Sequence, residues 1–216
     1  MRRRSSILIL YFTLSSTLVF AQDDRLNALL DGGHFKQVDR ALDLANIDDG
    51  EALYLLSKVK QALGKTNDAV RLAEAAVKAD PNEPKYHLQL AGALSDQAEK
   101  VNAFKRVSLA GHIRSELQTA LKLDPRNTDS LLGMMTFYEV APRIAGGSKQ
   151  KARQLAKEIA RIDASKGYLA EARLARFNNQ NEDVEHLYLE ALKADPTSFE
   201  VVMAFANYYA SGVRKK

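Results

Sequence analysis

Three stretches of the chain, AAVKADPNEP, TALKLDPRNT and EALKADPTSF, close in the same way. Each runs from an alanine-bearing apolar helix end to Lys, an apolar residue, Asp and Pro, at Pro81, Pro125 and Pro196. Proline lacks the N–H that a helix needs and clashes with the preceding turn, so each stretch is the stop of one helix and the approach to the next. The prolines stand 44 and 71 residues apart, and the second spacing is close to two units of about 34 to 36 residues, a period typical of stacked helical hairpins.

The apolar and small residues fall into register with that period. The unit closing at Pro81 carries Leu53, Leu56 and Ser57, then Gly64 at a turn, then Ala69, Ala73 and Ala76. The next carries His87, Leu90, Ala91 and Leu94, then Ile113, Leu117, Ala120 and Pro125. A third has Leu131, Met134, Met135 and Tyr138, then Ala152, Ala156 and Ile159, with Ala164 in place of the proline. A fourth has Tyr168, Ala172 and Ala175, then Val184, Tyr188, Ala191 and Pro196, after which Val202, Phe205, Ala206 and Tyr209 restart the series. These series resemble the tetratricopeptide repeat, a helix-turn-helix of about 34 residues with a large, small, aromatic pattern and a closing proline.

The resemblance spans nearly all of residues 22–216 and implies an all-α, right-handed solenoid of about five hairpins plus a C-terminal capping helix. Small residues let the two helices of a hairpin approach closely, and larger ones fill the gap to the next hairpin. Residues 24–45, with Val38, Leu42 and Ala45, are expected to form a shortened first unit, and the helix over residues 198–210 the terminal cap. The sequence departs from the pattern in having no tryptophan, in placing Glu171 where Leu is expected, and in two units that are too long. It also resembles a group of exported bacterial repeat proteins with a similar Pro and Gly-Gly loop before a helix, which implies export without defining an activity.

The first residues carry their own signal. Arg2, Arg3 and Arg4 precede an apolar run from Ile7 to Phe20, with small residues at Val19 and Ala21. The run includes Thr13, Ser15, Ser16 and Thr17 and falls short of the roughly 20 apolar residues that a spanning helix needs. It predicts a secretory signal peptide over residues 1–21, cut near Ala21, and a periplasmic or secreted product with no membrane span. Residues 22–216 would then carry 28 basic and 27 acidic side chains. So balanced a charge gives no global field for nucleic acid. The chain has no cysteine, which excludes disulfides, thiolate catalysis, cysteine-ligated zinc and a lipidated cysteine anchor. The 195 remaining residues suffice for one domain held by its core.

The two long units place their extra residues at the turn inside the hairpin. Between Leu94 and Ile113 lie 18 residues where the template has about eight. The segment contains Ala98, Val101, Phe104 and Val107 at helical spacing and no proline, so it predicts two lengthened helices rather than a loop. Between Tyr138 and Ala152 lie 13 residues, in the stretch VAPRIAGGSKQKA. Turns of this kind project from one edge of a solenoid, so the two insertions are expected to be neighbours, with Pro142 and Ile144 covering Phe104 and Val107. Lys100, Lys105, Arg106, Arg143, Lys149 and Lys151 would gather there, diluted by Glu99 and Glu139.

No chemical motif survives inspection. In AGGSK the serine precedes the lysine, and Pro142 stands five residues before Gly147 where a phosphate-binding loop needs glycine. SKQK at Ser148 fits the Ser-x-x-Lys spacing of penicillin-binding enzymes, but SKVK at Ser57 does too, and the companion SDN and KTG elements are missing. His34, His87, His112 and His186 show no paired zinc spacing; His112 with Glu116, one turn apart, is a weak pair. Ser148 is expected to cap the following helix. With Arg143, Gly146, Gly147 and Lys149 it forms a candidate edge loop, in which the glycines are expected simply to permit the turn; the alternative is that glycine and serine N–H groups at the helix N-terminus hold an anion or an acidic side chain.

The resemblance implies a groove lined by the first helix of each hairpin. Its candidates by register are Tyr54, Lys58, Gln61, Gln89, Thr136, Glu139, Arg173, Arg176 and Asn207. Mixed polar and aromatic side chains suit an extended peptide or a partner helix. The expectation is a non-catalytic envelope scaffold that binds a protein or peptide, without cofactor or metal. The alternatives are a ligand-binding accessory subunit of a solute-uptake system, which requires an enclosed cation-lined pocket, and a structural part of envelope assembly, which requires membrane association.

Overall fold

The structure is a computed structural model that describes residues 49–210, apart from the side chains of residues 181 and 182. The expected signal segment 1–21 and the shortened first unit with Val38, Leu42 and Ala45 lie outside the described residues. Every described element is helical. The chain divides into two compact units, one ending at Ala79 and one beginning at Asp80.

The first unit contains one described hairpin, α1 (Gly50–Ala62) and α2 (Thr66–Ala79). Asp49 starts it, its carboxylate accepting the Ala52 N–H at 3.3 Å and so satisfying one of the helix's unpaired donors. Gly64 ends α1 with φ 70°, and the Lys65 N–H reaches back to the Lys60 carbonyl at 2.8 Å. This left-handed C-terminal cap is favourable for glycine because it has no Cβ to clash. Leu55, Leu56, Val59 and Leu72 form the core, with Leu53 packed on them only half-buried. Ala69, Ala73 and Ala76 are fully buried, and the Ser57 hydroxyl crosses the narrow gap to donate to the Ala69 carbonyl at 2.8 Å.

The second unit contains α3 (Pro84–Glu99) with α4 (Ala103–Leu123), α5 (Thr128–Val140) with α6 (Lys149–Ile162), and α7 (Ala164–Phe177) with α8 (Asn181–Ala194). The single helix α9 (Phe199–Ala210) follows. Members of each pair pack on one another, and the first helices α3, α5, α7 and α9 touch in succession.

The Asp-Pro junctions are one device used repeatedly. The Asp80 carboxylate accepts the Asn82 N–H at 2.9 Å, Asp124 the Arg126 N–H at 3.2 Å and Asp195 the Thr197 N–H at 2.9 Å. The intervening proline presets φ for the turn, and the aspartate takes the donor two residues on. The Thr197 hydroxyl also donates to Asp195; this bond first, then the Thr197 backbone N–H, holds the Asp195 carboxyl below its usual pKa. At the junction without proline, Asp163 both ends α6 and caps α7, accepting the Lys166 N–H at 3.0 Å.

Large residues fill the gaps between hairpins and small ones the gaps within them. Met135, Ile159, Leu169, Val184, Tyr188 and Val201 are fully buried in one cluster with Ala152, Ala156, Ala170, Ala172 and Ala191. One gap between hairpins is also closed by small residues: Gly167 of α7 lies so close to Ala160 of α6 that a Cβ there would stand 2.5 Å from the Ala160 backbone. Tyr188 stacks on Phe205 at 5.2 Å and meets Tyr208 at 5.6 Å, tying α9 to α8.

On α9 the buried stripe differs from the template reading. Val201 and Tyr208 are buried and Phe205 half-buried, whereas Val202, Ala206 and Tyr209 are exposed. Thirty-four residues earlier Ala172 and Ala175 are buried, but among the described residues no second helix follows α9 to cover the matching positions. Only the side facing the preceding hairpin is shielded.

Candidate functional site

The first-helix candidates are best followed along each unit. On α1, Tyr54, Lys58 and Gln61 stand at i, i+4 and i+7 and so share one face. The Lys58 ammonium lies over the Tyr54 ring, 5.4 Å from its centre. In the second unit Gln89 on α3 is half-buried, and Asn207 on α9 is exposed. Thr136 on α5 is half-buried and turns its hydroxyl back to the Leu132 carbonyl at 2.9 Å.

Arg173 and Arg176 are brought together with α9. Arg173 pairs with Glu200 at 3.0 Å, and the Arg176 guanidinium sits 5.9 Å from the Tyr208 ring centre. Lys166, two turns before Arg173, reaches Asp129 on α5 and lies 4.0 Å from Glu200 on α9. The result is an ionic ladder, Asp129, Lys166, Glu200 and Arg173, linking three successive first helices. Such solvent-accessible pairs, half-buried at Lys166, Arg173 and Glu200, contribute about 1 kcal/mol or less each to stability, but they set an ordered row of alternating charge on this face. Sequence reasoning missed Asp129, Lys166 and Glu200. The signal was present in register: Glu51, Lys85, Asp129, Lys166 and Glu200 occupy the second or third position of consecutive first helices, with alternating sign.

Glu139 does not belong to that face. Its side chain is 3% exposed, and the Lys149 ammonium covers it at 3.3 Å. The insertion folds the chain back over the end of α5, so the carboxylate faces the returning helix α6 instead of a groove. Lys149 also donates to the Asn178 side chain at 2.9 Å, and Lys151 lies over the Tyr138 ring at 5.2 Å.

The Pro/Gly loop is tightly wound. Arg143–Ala145 forms one 3-10 turn, closed by Gly146 at φ 98°. A Cβ on Gly147 would overlap the Ala141 carbonyl, and one on Gly146 would meet the Arg114 guanidinium. Ser148 caps α6 by accepting the Lys151 N–H at 3.4 Å. The backbone N–H groups of residues 146–148 do not open into an anion cradle. The Gly146 N–H donates to the Arg143 carbonyl at 3.0 Å, Gly147 to Pro142 at 3.0 Å and Ser148 to Tyr138 at 2.7 Å, so all three donors are spent inside the loop.

The long hairpin has the expected form, α3 and α4 running 16 and 21 residues against 13 or 14 for the helices of the other hairpins. The covering of its tip is corrected. Phe104 and Val107 are exposed, and so are Pro142 and Ile144. The loop rests on α4 at Arg114, about 15 Å down the helix from Phe104 at 1.5 Å per residue, too far to shield it.

His87, which the template places in the core, is buried and makes two bonds. One ring nitrogen lies 2.7 Å from the Glu116 carboxylate and the other 2.9 Å from the Pro81 carbonyl. Glu116 is thus engaged by His87 rather than by the expected His112. An open pocket of about 350 Å³ lies between α6, α7 and α8, lined by Arg153, Glu171, Asn178, Gln180, Asp183 and His186 among others. Its polar lining is of mixed sign. Among the described residues no three His, Asp or Glu side chains group to hold a metal ion, and no helix is long and apolar enough to cross a membrane.

No family model matches the sequence, and no curated protein matches it. Solved structures do. A thermophilic tetratricopeptide-repeat protein of Thermus thermophilus is similar with a TM-score of 0.68 at 21% identity, over 87% of this chain and 95% of that one. Human IFIT1, solved as a dimer with PPP-AAAA, is similar with a TM-score of 0.63 at 16% identity, over 88% of this chain and 45% of that one. A tetratricopeptide-repeat protein of Parabacteroides merdae has a TM-score of 0.52 at 14% identity, over 88% and 72% of the two chains. Hairpins in succession, small residues within each pair and Asp-Pro junctions between them make this a tetratricopeptide-repeat fold.

Proposed function

We propose that the chain is an exported, non-catalytic scaffold that binds a protein or peptide along the first-helix face. The observation that carries this reading is the row Asp129, Lys166, Glu200 and Arg173, beside Arg176 on Tyr208, running across three successive first helices. A row of alternating charge, with Arg176 braced on the buried Tyr208 ring, suits a polypeptide whose own side chains alternate in sign. Exchanging these solvent-accessible intramolecular ion pairs for intermolecular ones costs little, because pairs in contact with water are weak. Residues 22–216 are nearly neutral, which weighs against a nucleic-acid ligand despite the likeness to IFIT1. The solute-uptake alternative predicts an enclosed cation-lined pocket in the monomer or trimer; the described pocket is open and also lined by Glu171 and Asp183, so no observation favours that alternative.

Export rests on the residue pattern of positions 1–21. Mass measurement of the protein recovered outside the cytoplasm should show loss of the first 21 residues; an intact N-terminus in the cytoplasmic fraction would contradict export. Binding is tested by pull-down of the processed, tagged protein from envelope extracts. The wild type should recover a defined protein, and Arg173→Ala with Arg176→Ala should weaken recovery about tenfold or more. Undiminished recovery by the double variant would remove this face from the account.

A further inference from the structure

The two places where the chain exceeds the repeat length are also where, among the described residues, the most exposed large apolar side chains stand. Phe104, on the α3–α4 tip, is 87% exposed, and Ile144, in the Pro/Gly loop, is 88% exposed. We propose that this edge docks on an anionic lipid surface, with Phe104 and Ile144 entering between the headgroups.

The tip is built to hold its shape while showing its apolar residues. Asn102 caps α4, its side chain accepting the Lys105 N–H at 3.0 Å. Arg106 ties the turn together by donating to the Ala98 carbonyl at 3.0 Å and the Val101 carbonyl at 3.2 Å. Yet every residue from 102 to 108 is exposed, including Phe104 and Val107 one turn apart. In the loop, Gly146 and Gly147 admit a tight path that leaves Ile144 pointing outward while Ala145 is buried.

Charge selects the occupant. Residues 96–107 and 139–151 together carry Lys100, Lys105, Arg106, Arg143, Lys149 and Lys151 against Asp96, Glu99 and Glu139, a net charge of +3. The rest of residues 22–216 carries a net −2, so the excess positive charge belongs to the two insertions. A protein interface needs a contiguous packed apolar centre, whereas Phe104 and Ile144 are separate prominences on different turns. A fluid bilayer surface accepts isolated apolar wedges, and anionic headgroups complement the cations around them.

The chain contains no tryptophan, so one introduced tryptophan reports its own surroundings, independently of any contact the N-terminal segment makes. The full chain would carry Phe104→Trp, Ile144→Trp or, as a control at the far end of α4, Leu123→Trp, where Leu123 is 37% exposed. On vesicles of equal parts phosphatidylglycerol and phosphatidylcholine, the first two should shift to shorter wavelength and be quenched by brominated lipid, and the control should not. Adding Lys100→Glu and Lys105→Glu to Phe104→Trp should weaken vesicle binding about tenfold or more. Unshifted emission at Phe104→Trp and Ile144→Trp on these vesicles overturns the proposal. So does an equal shift on pure phosphatidylcholine, or a shift produced only by added envelope protein, which would assign the edge to a protein partner.

Discussion

Lys149 covers Glu139 at the two ends of the Pro/Gly loop, its ammonium 3.3 Å from a carboxylate that is almost wholly withdrawn from water. The pair closes the inserted turn between α5 and α6. Lys149→Met leaves the buried carboxylate without its cation. Because the lysine side is itself largely exposed, the cost should be at the low end for such a pair, about 1–2 kcal/mol. Adding Glu139→Gln should recover most of it, so denaturant titration of both singles and the double should give a favourable coupling energy. Simple additivity would mean that the pair contributes nothing.

Gly147 and Gly64 separate close backbone approach from backbone conformation. A Cβ on Gly147 would overlap the Ala141 carbonyl, whereas a Cβ on Gly64, at φ 70°, would meet nothing within 4 Å. Gly147→Ala should therefore lower stability by about 2–4 kcal/mol, as overpacking against backbone does. Gly64→Ala should cost only about 1 kcal/mol, from the left-handed conformation alone. Equal losses in thermal melts would refute the distinction.

The Asp195 turn should show in acid. Its carboxyl is held below the ordinary aspartate pKa by the Thr197 hydroxyl and backbone N–H. A depressed folded-state pKa contributes stability above the unfolded value, and that contribution is lost as pH falls through the folded value. Wild type should therefore melt above Asp195→Ala at neutral pH, and the gap should narrow in acid below the usual aspartate range. A gap independent of pH would show that the ionised turn does not stabilise.

The Asp-Pro junctions and the lengthened hairpin were legible because their causes are local. Asp accepts a donor two residues away, proline stops a helix, and an apolar period of about 3.6 continues one. Glu139 was misplaced as a groove residue because its surroundings depend on where the chain returns five residues beyond the template length. The α9 register was misread because burial there is decided by a neighbour on one side only. The Asp129, Lys166 and Glu200 row was within reach of the repeat alignment, since its charges alternate at one register position in the first turn of each first helix, ahead of the groove candidates read from the later turns.

His87 shows a buried polar residue serving the repeat core. Its ring joins Glu116 on α4 to the Pro81 carbonyl at the start of the unit. His87→Ala should lose about 2–4 kcal/mol, combining the vacated volume with polar groups left unpaired, whereas His112→Ala on the exposed side of α4 should change stability by less than about 0.5 kcal/mol. Chemical denaturation of the two variants checks the contrast.

The scaffold reading is tested most directly by site-specific photocrosslinking from Asn207, exposed on α9 beside the row of Arg173, Arg176 and Glu200. A photoreactive residue placed there in intact cells should yield one discrete adduct with another protein, lost when Arg173 and Arg176 are both alanine. The same probe yielding no protein adduct, or one unaffected by the two alanines, would contradict a polypeptide bound along the first helices.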